Sequence, residues 1–441
     1  MIQGEYAYNL ASELFPICRS ITGNGVRQTL KILQRENPEL TINEVPSGTQ
    51  VFDWTVPKEW NIKDAWVKDK NGKKIIDFTE TNLHIMGYSI PVHKTVSLKE
   101  LLDVIYTEPN QPEVIPYVTS YYKERYGFCI SENQKNQMLN DYAETDQFEI
   151  CIDSTLEDGS LTYGELILEP CGQSVADVCK ETKEILFSTY ICHPSLANNE
   201  LSGPCLSTIL IKWLKSLTSR KYRYRFVFTP ETIGSITYLS RNYKELQKTV
   251  IAGFNLTCVG DDRTYSYLPT AYGNTLSDKV LKNVLHFHYP EYKTYPFLQS
   301  GSEERRYNAP GIDIPVACFC RSLYGVYPEY HTSADNLSLI SPSGLQGSFD
   351  VMRKCIIALE HNQKYRMTCL CEPQLGKRGL YPTVSRKGQY DEVFKLVNMI
   401  SYFDGKNDLI DVSNIIQVPV EEMLENVEKL DKAGLLEKGD R

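Results

Sequence analysis

Ile185-Leu-Phe-Ser-Thr-Tyr-Ile-Cys-His193-Pro-Ser-Leu-Ala-Asn-Asn-Glu200-Leu-Ser-Gly203 is the stretch on which the reading of this chain turns. Its first residues, Ile185 to Ile191, are a short run of strand formers. The chain then passes through His193-Pro194 into a small polar loop, Asn198-Asn199-Glu200. Ser202-Gly203-Pro204 opens a helix over 205–217, with Leu206, Ile209, Leu210, Trp213, Leu214 and Leu217 at helical spacing. A strand that delivers a His and side-chain oxygens into the loop before a helix is how α/β proteins present metal ligands at the carboxyl edge of a sheet. A buried strand, a proline turn and a helix cap would account for the same residues, so the rest of the chain must decide.

Working outward, strand and helix alternate. A hairpin of 148–153 and 161–168 around Glu157-Asp-Gly159 is followed by strands at 224–229, 250–258 and 314–319, and by helices at 234–245, 276–287 and 342–360. This alternation predicts an α/β fold with a mostly parallel, mixed sheet. Residues 5–37 read as two helices broken at Ser20-Ile-Thr-Gly-Asn-Gly25. Arg19 and this break form either a loop near the active cleft or a plain interhelical turn. Between about 45 and 135 the texture is β-rich and aromatic, with a hairpin turn at Asn71-Gly72 and a helix over 98–106 capped by Ser97. The expected organisation is therefore an α/β domain of 1–44 and 136–375, an inserted β-rich domain of 45–135, and a separate tail of 380–441. The tyrosines and tryptophans of the insertion serve as core or line a cleft.

The tail reads as helix, short helix, longer helix and closing strand, the pattern of a winged helix-turn-helix. From Leu380 to Arg441 it carries 8 Lys/Arg against 12 Asp/Glu. DNA binding needs a basic face, so the expectation is docking to a protein partner or a second copy of the chain.

The whole chain of 441 residues has a net charge of −9, which argues against a general nucleic-acid or anionic-membrane binder. No apolar run approaches the roughly 20 residues needed to span a bilayer, and no signal peptide is evident. Thirteen cysteines without a C-x-x-C pattern read as reduced thiols, which places the protein in the cytoplasm. Cys318-Phe-Cys320 and Cys369-Leu-Cys371 alternate with apolar neighbours and read as strand or loop.

Three further stretches join the opening one. Phe226-Val-Phe-Thr-Pro-Glu231 is an apolar strand ending in a carboxylate. Phe254-Asn-Leu-Thr-Cys-Val-Gly260-Asp261-Asp262 is another strand with a polar end, and Tyr330-His331-Thr-Ser-Ala-Asp335 is a polar loop before the last helix. Each alone is an ordinary cap or a hydrogen-bonded histidine. Together, His193, Glu231 and His331 are the set a zinc hydrolase assembles in space: a metal acidifies water, and a carboxylate accepts the proton as the water attacks a carbonyl.

The order of these motifs resembles the zinc aminopeptidases of the leucyl-aminopeptidase and glutaminyl-cyclase type. More closely it resembles a bacterial aminopeptidase-like family associated with polysaccharide biosynthesis, which has an inserted β-rich domain and a C-terminal winged helix. The residues carrying this are Phe15-Pro-Ile-Cys-Arg-Ser-Ile-Thr-Gly23, Cys192-His-Pro-Ser-Leu-Ala-Asn198, Thr229-Pro-Glu-Thr-Ile-Gly-Ser235, Gly301-Ser-Glu-Glu304, Tyr330-His-Thr-Ser-Ala-Asp335 and Leu375-Gly-Lys-Arg-Gly-Leu-Tyr381. The resemblance implies that His193 and His331 are metal ligands and that Glu231 is a ligand or the general base. Tyr330 would polarise the substrate carbonyl or serve in the core, and Glu303 and Glu304, beside Arg305-Arg306, would bind a substrate amine or form a surface ion-pair cluster. Two positions depart from the two-metal pattern: Asn199 stands where a bridging aspartate is expected, and Thr257 where a second aspartate is expected. Glu200, beside Asn199, is the substitute ligand if the loop turns differently, and Asp261 or Asp262 lies several residues beyond Thr257. One zinc ion, held by His193, His331 and a carboxylate, is therefore expected, without the second site. The implied activity is amide hydrolysis on a small peptide or aminoacylated precursor. The alternative is a catalytically silent aminopeptidase fold that binds a ligand or partner.

Overall fold

The computed structural model describes residues 3–172, 182–381 and 390–439. Segments 173–181 and 382–389, which fall within the expected α/β and winged-helix domains, lie outside the described residues. The chain forms two compact units, Met1–Gly273 with Lys293–Phe349, and Asn274–Tyr292 with Asp350–Arg441.

The first unit is built on an eight-stranded mixed sheet. Its order is Thr41–Pro46, Ser160–Leu168, Arg223–Thr229, Glu184–Tyr190, Val250–Leu256, Val316–Cys320, Ser266–Leu268 and Lys293–Thr294. The four strands from Arg223–Thr229 to Val316–Cys320 run parallel, as the alternation of strand and helix predicts. Antiparallel neighbours flank them on both sides. Every residue of Glu184–Tyr190 is buried, because a central parallel strand is covered on both faces and needs no polar side. This strand lies between Arg223–Thr229 and Val250–Leu256, the next two in the chain, so the order of connection reverses around it. Side chains just beyond the carboxyl ends of strands at such a reversal face a crevice. Helix Ser202–Ser216 packs closely on this strand. A Cβ at Gly203 would meet Thr189 Oγ1 at 2.2 Å and the Leu256 carbonyl oxygen at 2.3 Å, so only glycine allows the approach.

A second sheet, ordered Lys74–Asp77, Glu59–Lys68, Gln147–Glu157 and Val92–Ser97, has its own core around Val67, Phe128, Phe148 and Ile150. Gly72 takes a left-handed φ of 79° in the expected hairpin turn. Ser97 and Glu100 form a capping box at the helix Leu98–Leu102. The strands on either side of Glu157-Asp-Gly159 do not pair with each other. Gln147–Glu157 joins the four-stranded sheet and Ser160–Leu168 the eight-stranded one. Sequence proximity suggested a hairpin, but each strand buries its apolar face in a different core.

The second unit contains the sheet Asp404–Asp408, Lys364–Met367, Leu436–Lys438 and the helices Tyr390–Tyr402, Leu409–Ile416 and Val420–Lys432, a winged helix-turn-helix. Helix Leu276–His288 falls in this unit rather than in the one that precedes it in the chain. Lys279 donates to Asp408 at 2.7 Å, and Asn283 donates to Ser413 at 2.9 Å. No helix among the described residues is long and apolar enough to cross a membrane.

Within the first unit, Arg27 of helix Asn24–Glu36 donates to both oxygens of Glu59 at 2.7 and 2.6 Å, and the Ser160 N–H donates to the same carboxylate at 3.0 Å. The Arg27 guanidinium holds the Glu59 carboxyl down to about 2. A folded-state value below the unfolded one of about 4.3 means that this contribution is complete above the unfolded value and disappears as the pH falls toward the folded one. Thermal unfolding in pH steps should therefore show a shallower acid limb for Glu59→Gln than for the native chain; equal slopes would remove this role.

Candidate functional site

His193, Glu231 and His331 come together beyond the carboxyl ends of the central strands. His193 follows strand Glu184–Tyr190, Glu231 follows Arg223–Thr229, and His331 stands in the loop after Val316–Cys320. His193 Nε2 lies 3.6 Å from Glu231 Oε2, and the two imidazole centroids are 5.2 Å apart. All three line a cavity of about 250 Å³. Four non-glycine residues around it have left-handed backbones: Ser195 (φ 45°), Thr232 (61°), Cys258 (52°) and His331 (56°). Such backbone is costly outside glycine, most of all for β-branched Thr232, and tends to cluster at working sites.

The two faces of the His193 ring differ. Nδ1 is taken from behind, where the Glu200 carboxylate accepts its hydrogen bond at 2.9 Å. Arg19, itself buried, lies 3.5 Å from the other Glu200 oxygen and donates to the His193 carbonyl at 2.9 Å. Glu200 is therefore the carboxylate that orients His193, with Nε2 left facing Glu231 and the cavity. The Arg19 loop is part of the site, one of the two readings its sequence allowed.

Burial decides the charges. It lowers the His193 pKa to about 3, helped by Arg19, and that of His331 to about 3, helped by His193. Both rings are neutral at pH 7 and keep a lone pair for a metal. Burial raises Glu200 to about 8 against the pull of Arg19, and it raises Glu231 with a further push from Glu303.

The donor set fits a zinc ion. Nε2 of His331 is buried without a hydrogen-bond partner, an arrangement that is costly unless something binds it. Two ligands on a tetrahedral zinc stand roughly 3.4 Å apart, close to the 3.6 Å between His193 Nε2 and Glu231. Among the described residues, the group whose ligand atoms all lie within 4.8 Å of one another is Cys192, His193 and Glu200, so His193, Glu231 and His331 are more widely spaced than that. The Cys192 side is less suited, because the Cys192 thiol is pushed well up by burial and Nδ1 is already engaged.

Asn199 and Thr257 meet in a neutral network. Asn199 donates to the Tyr190 hydroxyl at 2.5 Å, and that hydroxyl bonds Thr257. Asp261 is occupied by Asn198 and Ser322, and Asp262 by Ser341 and Ser343. Tyr330 stacks on His331 at 3.9 Å but does not line the cavity. Glu303 accepts from the Thr232 N–H at 2.7 Å, and its other oxygen is buried and unpartnered. Glu304 is satisfied by Asn255, Ser300 and Tyr324.

Three functional contributions were not singled out in the sequence. Tyr117 of the β-rich segment touches both imidazoles, while Arg19 and Asp335, whose loops were named there without these roles, hold Glu200 and clamp the loop after His193. The Asp335 carboxylate accepts from the backbone N–H groups of Asn198 and Asn199 at 2.6 and 3.0 Å and from the Tyr327 hydroxyl at 2.8 Å. It thereby fixes the π-helical turn Ala197–Leu201, a widened turn often found at functional sites.

Comparison with known proteins agrees with this architecture. A domain family described as a domain of unknown function, DUF4910, matches residues 8–362, and a winged helix-turn-helix family matches 363–438. A Clostridium acetobutylicum protein, provisionally described as a polysaccharide biosynthesis protein with aminopeptidase-like domain, is 47% identical over 412 residues, 93% of this chain and 91% of its own. A crystal structure provisionally described as a peptidase from Clostridium acetobutylicum superposes with a TM-score of 0.90 at 44% identity, covering 99% of this chain and 96% of that one. A zinc aminopeptidase from Bacillus subtilis shares the fold at 14% identity, with a TM-score of 0.58 over 81% of this chain and 95% of its own.

Asp335→Asn should orphan one of the buried N–H groups that the carboxylate now serves, at a cost of about 1–3 kcal/mol. Chemical denaturation measures the loss, and amide exchange should quicken at Asn198 and Asn199. Unchanged exchange there would show that the turn does not depend on the clamp.

Proposed function

We propose, from the premise that this chain belongs to the DUF4910 family and carries an aminopeptidase-like fold, that it is a zinc-dependent hydrolase cleaving an amide of a small peptide or aminoacylated precursor. The observation that carries this reading is the convergence on one cavity of two neutral imidazoles and a carboxylate, with His331 Nε2 lacking any partner. His193 and His331 would hold the ion through Nε2. A bound zinc supplies Lewis-acid polarisation of the amide carbonyl and acidifies water. Glu231, the carboxylate in the cavity, would either complete the ligand set or take the proton from the attacking water and return it to the leaving amine. Its carboxyl is already raised by burial and by Glu303, which favours proton exchange near neutral pH. The cavity walls, with Ile21, Trp54, Tyr121 and Ile233, suit one small apolar group beside the scissile bond.

A cytoplasmic setting belongs to the same reading, supported by twelve described cysteines that are free thiols. The acidic winged helix would dock a protein partner or a second copy of the chain rather than DNA.

The second reading is a silent fold that binds a ligand or partner. It is favoured by the neutral Asn199–Tyr190–Thr257 network, which occupies the positions where the resemblance expects carboxylates. Metal analysis of the purified chain separates the two. The hydrolase reading expects one zinc per chain, lost in His331→Ala, together with turnover on a panel of aminoacyl amides. Glu231→Gln should keep the zinc and lose about 10²–10⁴-fold in turnover; if it loses the zinc as well, Glu231 is a ligand. Absence of stoichiometric metal and of turnover would leave the binding reading.

A further inference from the structure

We propose that Tyr117, supplied by the β-rich segment, is a positioning residue whose ring is a wedge set against one side of the His193–His331 pair, themselves 5.2 Å apart, and fixes how the two imidazoles face each other. This rests on the assignment of those histidines to a common site, as in the reading above. The Tyr117 ring lies 5.1 Å from the His193 ring and 5.0 Å from the His331 ring, centre to centre. Its hydroxyl does not face the cavity chemistry, since it bonds the Tyr121 hydroxyl at 2.7 Å. The ring is therefore the feature that touches the imidazoles. Tyr121 packs edge-on against Tyr88 at 5.3 Å, and Tyr88 stacks on Trp60 at 5.9 Å. Aromatic side chains thus lead from strand Glu59–Lys68 of the four-stranded sheet to the two imidazoles, by ring contacts except for the hydroxyl bond between Tyr121 and Tyr117.

The backbone makes the same connection. The Tyr117 N–H donates to the His331 carbonyl at 2.8 Å, and the Ser333 N–H donates to the Ile115 carbonyl at 2.9 Å. The Ser333 hydroxyl accepts from the Ile115 N–H at 3.0 Å. His331 has a left-handed φ of 56°, which its own loop does not favour and which an external tie has to hold. The β-rich segment is thus a fixed part of the candidate centre rather than a cover above it.

The test uses the full chain with ring-labelled histidine. In metal-free protein, Tyr117→Ala should move the ring signals of both His193 and His331, while Tyr117→Phe, which keeps the wedge, leaves them in place. In zinc competition against a chelator, Tyr117→Ala should weaken binding by about 10–100-fold, the usual scale for groups that orient metal ligands, and Tyr117→Phe should retain native affinity. Phe148→Ala, which opens the core of the four-stranded sheet away from the site, controls for lost stability: it should lower the melting temperature without moving either imidazole signal. The wedge is overturned if the imidazole signals of Tyr117→Ala match the native ones, or if Phe148→Ala moves them equally. If the native chain takes up no zinc, the hydrolase reading fails, and the imidazole signals alone still decide the wedge.

Discussion

Glu200 is a carboxylate buried between a buried guanidinium and a buried imidazole, and the functional end of the sheet is arranged around it. Taking such a group out of water costs several kcal/mol unless its partners are in place. Arg19 supplies the opposite charge and His193 the hydrogen bond. Arg19 also donates to the His193 and Leu14 carbonyls, so helix Gln3–Leu14 and its following loop are drawn against the strand end. The same loop presents Thr22, which bonds the Tyr88 hydroxyl and accepts from the Trp60 N–H at 3.0 Å. The N-terminal helices, the inserted strands and the histidine are thereby fixed relative to one another through one buried polar cluster.

The left-handed residues around the cavity show how firmly the rest is held. A backbone of this kind costs on the order of 1–3 kcal/mol per residue and persists only where its surroundings enforce it. Each has a tie from another element. Thr232 is held by Glu303 and Arg306, and Ser195 accepts from Asn82 at 2.8 Å. The Cys258 carbonyl accepts from the Arg321 N–H at 2.8 Å, and His331 is held by Tyr117. The strain is spread over four loops and is borne by residues far from them in sequence.

That distribution explains what could be read in advance. The central strands were legible because burial on both faces leaves an uninterrupted apolar run, and His193 and Glu231 because they stand directly at the ends of such runs. The Asn71-Gly72 turn and the Ser97 cap were legible because their chemistry is local. Arg19 and Tyr117 were not, since their roles exist only through partners brought close by folding, and Tyr117 is one of 29 tyrosines with no local pattern to mark it. The expected pairing of 148–153 with 161–168 failed for a related reason: alternation shows that a segment is a strand, but not which sheet will take it. Glu200 was expected as the substitute metal ligand beside Asn199, while its place behind His193 Nδ1 depends on the widened turn at Ala197–Leu201.

Asn199 and Thr257 could be taken as signs of decay, but the physics of their surroundings argues otherwise. A site released from function would be expected to relax, with ordinary backbone angles and buried nitrogens either paired or replaced by apolar groups. Here the exchanged positions form a neutral network through Tyr190 that leaves Asn199 Oδ1 unpartnered, while the forward face keeps its costs. His331 retains a left-handed backbone and an unpartnered buried nitrogen, and the Glu231 carboxyl, partly open to the cavity, is pushed up by burial and by the neighbouring buried Glu303. Packing alone requires none of this. Free energy held in unpaired and mutually repelling groups on one cavity favours a ligand that relieves it, and a cation between the imidazoles and the carboxylate would relieve both terms together.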